Sequence, residues 1–321
     1  RSTCFGLPEV KRLMKILTLS MACVAPRMVA NLEVNDRLSA ILTQMAAKDA
    51  PPPMMYDFHL AGMLPVAFIT GDAGIFKRIF DMIAAYSIPP DSIRFSLAES
   101  HDGKSVRGSL DLLTLAERQA LADTVAHNGG RIKYKGVPRR TVPVDEFKAV
   151  CRESNLDCTA ACRRIFKPGD ARDAVLVLAD HIRDAAGMAA ALGISPDRFD
   201  TEGPLKYFRN KILEGREPYE LCVATRDCLP RLSDPRLAGE RYLAFYTLAF
   251  ALMGRNVKSI YFNDLLGLPN DYARLQATGE LRDLKRTKSN LADLEEQLAD
   301  PASITYRIAG GLNNLLSLIH I

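Results

Sequence analysis

Short extended segments alternate with helix-periodic ones along this chain, and that alternation limits its fold more than any other feature. Pro8 to Ala25 places Val10, Leu13, Met14, Ile16, Leu17 and Met21 on a helical period, and Pro26 stops it. An extended run, Met28 to Leu32, ends at Glu33. A second, Met54 to Phe58, follows the breaker Pro51-Pro52-Pro53, and a long helical stretch from about Leu64 to Ala85 comes after it. A third, Ile93 to Leu97, runs into Glu99-Ser100-His101-Asp102-Gly103. A fourth, Val257 to Phe262, is preceded by the apolar stretch Tyr242 to Gly254. Strands alternating with helices predict a parallel sheet with helical crossovers. The apolar stretch has 13 residues, whereas a bilayer span needs roughly 20, so it is expected to be a buried helix.

The interval from Gly136 to Glu217 differs from its surroundings. It is helix-rich, punctuated by Gly193, Pro196 and Pro204, and reads as a subdomain inserted on a loop. Arg131 to Lys167 holds ten Lys or Arg against four Asp or Glu, a local +6. That charge is either a solvated face or a field that draws anions toward a cleft. The whole chain carries only +4 over 321 residues, too little to indicate a nucleic-acid binder. Seven cysteines, an odd number without a secretory leader, predict reduced thiols and a cytoplasmic protein. The chain opens on Arg1 with no initiator methionine, so a longer gene product is expected. The last six residues, Leu316 to Ile321, read LSLIHI, which one frame of a common sequencing adaptor also encodes; they are set apart from the fold.

Two carboxylates stand out. Glu33 and Asp102 each fall just past an expected strand, with His101 beside the second. In an α/β barrel both would face one cavity at the C-terminal rim, and paired carboxylates around a sugar-sized pocket serve glycosyl transfer. Taken on spacing alone, that pairing is a weak signal, because any chain has acids after strands, and exposed loop acids are the stronger reading. Cys151, Cys158 and Cys162 form a C-x6-C-x3-C set that matches no zinc spacing and reads as a helix with small thiols packed inward; His181 is distant. His127-Asn128-Gly129-Gly130 reads as a helix-closing turn with a left-handed glycine cap. Gly310-Gly311 reads as a bend, and neither a Gly-x-Ser-x-Gly elbow nor an HExxH motif occurs.

Several segments, in order, resemble one family. They are RSTCFGLPEV at the start, Leu32-Glu33-Val34-Asn35, Met55-Tyr56-Asp57-Phe58, Ser100-His101-Asp102-Gly103 and Gly129 to Lys135. Pro218-Tyr219-Glu220-Leu221, Ile260 to Asn263, Leu265-Leu266-Gly267, Asn270-Asp271 and Arg282 to Arg286 follow. The chain thereby resembles the sucrose phosphorylase-like branch of glycoside hydrolase family 13, the α-amylase superfamily. The resemblance implies an α/β fold, part of a (β/α)8 TIM barrel covering about strands five to eight, with a helical insert after the His-Asp strand. On that division residues 1–135 and 218–315 are barrel and 136–217 are the inserted lid.

The resemblance also implies roles. Glu33 matches the family's general acid/base, Asp102 the transition-state stabiliser and His101 a binder of sugar hydroxyls. Tyr56, Asp57, Tyr219, Asn270, Asp271 and Arg282 match substrate-binding positions. The nucleophilic aspartate matches nothing in this chain and falls before Arg1. Cys222 and Lys285 depart from the pattern, standing where many relatives carry asparagine. The implied reaction is retaining phosphorolysis of an α-glucoside to glucose 1-phosphate, with the glucoside and inorganic phosphate as partners. No cofactor, metal, nucleic acid or membrane is called for, and a homodimer is left open. Two other readings stand beside it: an amylase-superfamily hydrolase or sucrose isomerase, and an inert sugar-binding fragment.

Overall fold

A computed structural model describes residues 7–46, 54–135, 141–167, 175–179, 182, 184–201, 203–213, 217–230 and 232–319. The opening RSTCFG of the family match and His181 lie outside the described residues. The strands, in chain order, are β1 (Asn31–Leu32), β2 (Met54–Asp57), β3 (Ile93–Leu97), β4 (Lys104–Ser105) and β5 (Arg131–Lys135). They continue with β6 (Thr141–Pro143), β7 (Val175–Val177), β8 (Glu217–Cys222) and β9 (Val257–Ser259). The chain divides into two compact units, one of residues 1–112, 124–131 and 220–321, the other of 113–123 and 132–219.

The first unit is mixed α/β around a parallel sheet in the order β1-β2-β3-β9. Its register pairs Asn31 with Met54, Met54 with Ile93, and Phe95 with Val257. Parallel neighbours demand crossovers, and helices supply them. Helix His59–Thr70 follows β2, is apolar around most of its circumference, and is buried from His59 to Ala67. It ends where Gly71 turns left-handed at φ 70, a conformation glycine adopts without a Cβ clash. The expected single helix from Leu64 to Ala85 is therefore two, because Asp72 then caps a 3-10 turn, Ala73–Phe76, before helix Lys77–Ala84 begins. Gly108 lies so near the entrance of the first helix that a Cβ would sit 2.6 Å from the carbonyl carbon of Phe58.

Helix Pro235–Met253 leads into β9, with Pro235 in its first turn and Asp234 accepting from the amide of Arg236. Its buried side chains, Tyr242, Phe245, Tyr246, Ala249, Phe250 and Met253, repeat at helical spacing. Against it packs helix Ile304–Ile319. Gly310 and Gly311 lie inside that helix and not at a bend, which corrects the sequence reading. A Cβ on Gly311 would come within 2.5 Å of Leu243, so Gly311 serves close approach of two helices, whereas Gly310 faces open space. The outer strands are shorter than expected. β1 holds two residues, with Met28 and Val29 exposed before it, and β9 gives way to helix Phe262–Leu265.

The second unit has a core of its own, built on Phe147, Val150, Ile165, Phe166, Leu205 and Phe208. Phe147 meets Phe166 edge-on at 4.8 Å. Helices Val144–Glu153 and Cys158–Ile165 are joined by a turn in which Asp157 accepts from the amides of Thr159 and Ala160. The three cysteines thus lie on two helices, not one, because Asn155 at φ 52 and this cap break the run. Cys151 is buried, and burial with the Cys158 thiol beside it pushes its own thiol up to about 12.

Candidate active site

Because β1, β2, β3 and β9 run parallel, the segments that follow them emerge at one edge of the sheet. That edge receives Glu33 after β1, the loop Glu99 to Asp102 after β3, and Tyr261 after β9. Side chains tie the segment after Glu33 to β4 and the turn beyond it. The Ser105 hydroxyl donates to Asn35 Oδ1 at 2.7 Å, and Arg107 pairs with Asp36 at 3.2 Å. Glu33 itself is exposed.

Asp102 is surrounded by two arginines and a histidine. Arg282 reaches its Oδ1 at 3.0 Å, Arg286 at 3.2 Å and His101 Nε2 at 3.3 Å. About a third of the Asp102 side chain remains open to solvent, at 35%, and His101 is open at 72%. Arg282 also forms a fork on Glu220, with Nε and Nη2 donating to the two carboxylate oxygens at 2.8 and 2.9 Å. Such bidentate pairs fix the guanidinium plane, so Glu220 aims Arg282 at Asp102.

Behind these residues lies a dry polar cluster. Glu99 is fully buried and accepts from the ammonium groups of both Lys104 and Lys285. Thr225 donates to Glu99 Oε2 at 2.5 Å, and its hydroxyl lies 2.9 Å from Asp264 Oδ2. Tyr246 donates to that same Asp264 oxygen, and Tyr242 donates to the Asp264 backbone carbonyl at 2.7 Å. Burial alone would raise the Glu99 carboxyl, but the two lysines outweigh it and hold it below the usual range. For Asp264 burial wins, with Glu99 adding to it, and its carboxyl is pushed up to about 6. Burial lowers Lys285, against the pull of Glu99, whereas Glu99 overcomes burial at Lys104 and raises it.

The other expected residues fall in different settings. Tyr56 stacks between Phe58 and Phe95, with centroids 5.6 and 4.7 Å away. Asp57, the last residue of β2, is 1% exposed, and its oxygens are taken by Arg94 at 2.7 Å and by His59. Those partners hold its carboxyl well below the usual range against the opposing effect of burial. Asn270 is buried: its Oδ1 accepts from the amide of Ala224 at 2.8 Å, and its own amide donates to Asp227 at 2.6 Å. Asp271 caps helix Tyr272–Thr278 through the amide of Arg274. Tyr219 belongs to the second unit. Glu99, Lys104, Thr225 and Asp264 were not singled out by the sequence. Glu99 has a visible signal, an acid shortly after a strand, but its lysine partners lie 5 and 186 residues along the chain, the first of them in β4.

Comparison with known proteins supports a sucrose phosphorylase-like family within glycoside hydrolase family 13. The particular relatives are glycoside phosphorylases. A glucosylglycerate phosphorylase of Allomeiothermus silvanus is 23% identical over 98% of this chain and 43% of its own length. One from Escherichia coli is 28% identical over 44% of this chain and 26% of its own length. The crystal structure of sucrose 6F-phosphate phosphorylase from Thermoanaerobacter thermosaccharolyticum shares the fold, with a TM-score of 0.56, 14% identity, and coverage of 95% of this chain and 45% of that one. The chain therefore spans less than half the length of these relatives. No family model matches it.

Proposed function

We propose that this chain supplies strands five to eight of a (β/α)8 barrel in a retaining glycoside phosphorylase. Glu33 is the general acid/base, Asp102 holds the sugar hydroxyls and steadies the oxocarbenium-like transition state, and His101 binds an adjacent hydroxyl. The nucleophile comes from a strand that precedes this chain. In such a reaction Glu33 protonates the departing oxygen while the nucleophile takes the glucosyl group. Phosphate then attacks the glucosyl ester with Glu33 deprotonated, and glucose 1-phosphate leaves with its configuration retained. A general acid must begin protonated near neutral pH, which needs desolvation; a sugar seated on the exposed Glu33 would supply it.

The observation that carries this reading is the gathering of Glu33 and Asp102 at one edge of a parallel sheet, with Asn35, two residues after Glu33, bonded to Ser105 of β4, three residues after Asp102. An anionic acceptor fits best. Arg282 and Arg286 stand at Asp102, and the relatives act, by their names, on glucosylglycerate and sucrose 6F-phosphate. The test is an assay of the complete polypeptide with glucosylglycerate and inorganic phosphate. Phosphate-dependent glucose 1-phosphate is the expected product. Glu33→Gln and Asp102→Asn should each lower its formation by about 10²–10⁴-fold. Phosphate-independent release of glucose would instead identify a hydrolase, and a rearranged disaccharide an isomerase.

A further inference from the structure

The buried cluster takes no part in the reaction set out above, yet it grips the loop that carries Asp102. The Lys285 side chain is wholly buried, donates to Glu99 and to the backbone carbonyl of Ser100, and lies 4.8 Å over the ring of Tyr261. The next residue, Arg286, donates through Nε to the carbonyl of His101 at 2.9 Å. Two consecutive side chains thus hold two consecutive carbonyls, immediately before Asp102. From the far side Lys104 and Thr225 fix the Glu99 carboxylate that Lys285 leans on. In a site this dry each bond is stronger than in water, and a partly broken set is costly.

We propose that Lys285 is a positioning residue for Asp102, acting through the Glu99 carboxylate and the Ser100 carbonyl. Stability alone does not call for it. An ammonium pays heavily for burial, and an apolar side chain of similar volume often does as well. What an apolar side chain cannot do is donate to Ser100. The bond fixes the Ser100–His101 peptide, and Arg286 fixes the next one, from which Asp102 projects, while Arg282 and Arg286 pair with the Asp102 carboxylate. The catalytic consequence rests on the reading of Asp102 as the sugar-binding carboxylate; the geometric one does not.

Two measurements on Lys285→Met and Lys285→Gln separate these. Hydrogen exchange of the chain reads the clamp directly, because the amides of Asp102 and Gly103 donate to Ser100 Oγ and to the Ser100 carbonyl, each at 3.2 Å. In the methionine variant exchange of residues 100–103 should quicken by about tenfold or more, with β2 and the second unit unchanged. In the complete enzyme kcat should fall by about 10²-fold, the penalty of an ångström-scale misplacement, with KM for phosphate kept. Glutamine keeps a donor without the charge, so it should recover part of both effects, including where the methionine variant folds poorly. Unchanged exchange at 100–103, or unchanged kcat in an enzyme that wild-type assays show to be active, would overturn the proposal. Quickened exchange in a protein with no glucosyl-transfer activity would uphold the clamp and sink the reading of the site.

Discussion

Asp264 and Glu99 share one buried cluster but respond to pH in opposite directions. Asp264 titrates at about 6, above the 3.8 of a free carboxyl, so between these values the folded chain holds a proton that the unfolded chain has lost. Stability from this group is therefore greatest at low pH and declines as pH rises through the window. Glu99, held below its ordinary value, contributes stability that is present above about 4.5 and lost on acidification. Asp264→Asn keeps an acceptor for the Tyr246 and Thr225 hydroxyls and removes the titration. Its stability relative to wild type should be more favourable at pH 7.5 than at pH 5, by an amount on the order of 1 kcal/mol. Paired thermal melts at the two pH values check this, and a pH-independent difference would show that Asp264 does not titrate there. None of this was legible in the sequence. An acid after a strand is commonplace, and only the convergence of Lys104 from β4 with Lys285 and Thr225 from far along the chain makes Glu99 special.

The elements were read more successfully where periodicity ran long. Helix Pro8–Val24 ends one residue from its expected stop, and β3 spans the expected Ile93–Leu97. Both carry their signal locally, in an apolar stripe or in alternation bounded by turn residues. Gly129 closes its helix at φ 85 as the sequence suggests, whereas other glycines take their meaning from across the fold. Gly71 ends a helix that the hydrophobic pattern alone would continue, and Gly311 permits a helix contact that no neighbouring residue announces. Gly108 gives the sharpest test at this scale. A methyl there would meet the Phe58 backbone at 2.6 Å, and backbone cannot swing aside as a side chain can. Gly108→Ala should destabilise the first unit by about 1–3 kcal/mol. Differential scanning calorimetry reads this as a lowered melting temperature, whereas Gly71→Ala should act through backbone strain at φ 70 and not through a clash.

At the scale of the whole molecule the composition places the chain among ordinary soluble globular sequences, and its alternating pattern points to the parallel sheet that the structure shows. Among the described residues no helix is long and apolar enough to cross a membrane. The proposed half-barrel makes one more prediction. Expressed alone, this chain should yield no glucose 1-phosphate from phosphate and a glucoside, because the proposed nucleophile precedes it. Robust formation by the isolated chain would place the nucleophile within residues 1–321. The sequence by itself determined the strand-helix order and the two acids at strand ends, since these depend on patterns among near neighbours. Only the tertiary structure decided that Asp102 is paired with two arginines, that Asp57 is buried against Arg94 and His59, and that a buried lysine grips the loop that carries Asp102. Those facts rest on contacts between residues far apart in the chain, whose electrostatic value exists only once water has been excluded from between them.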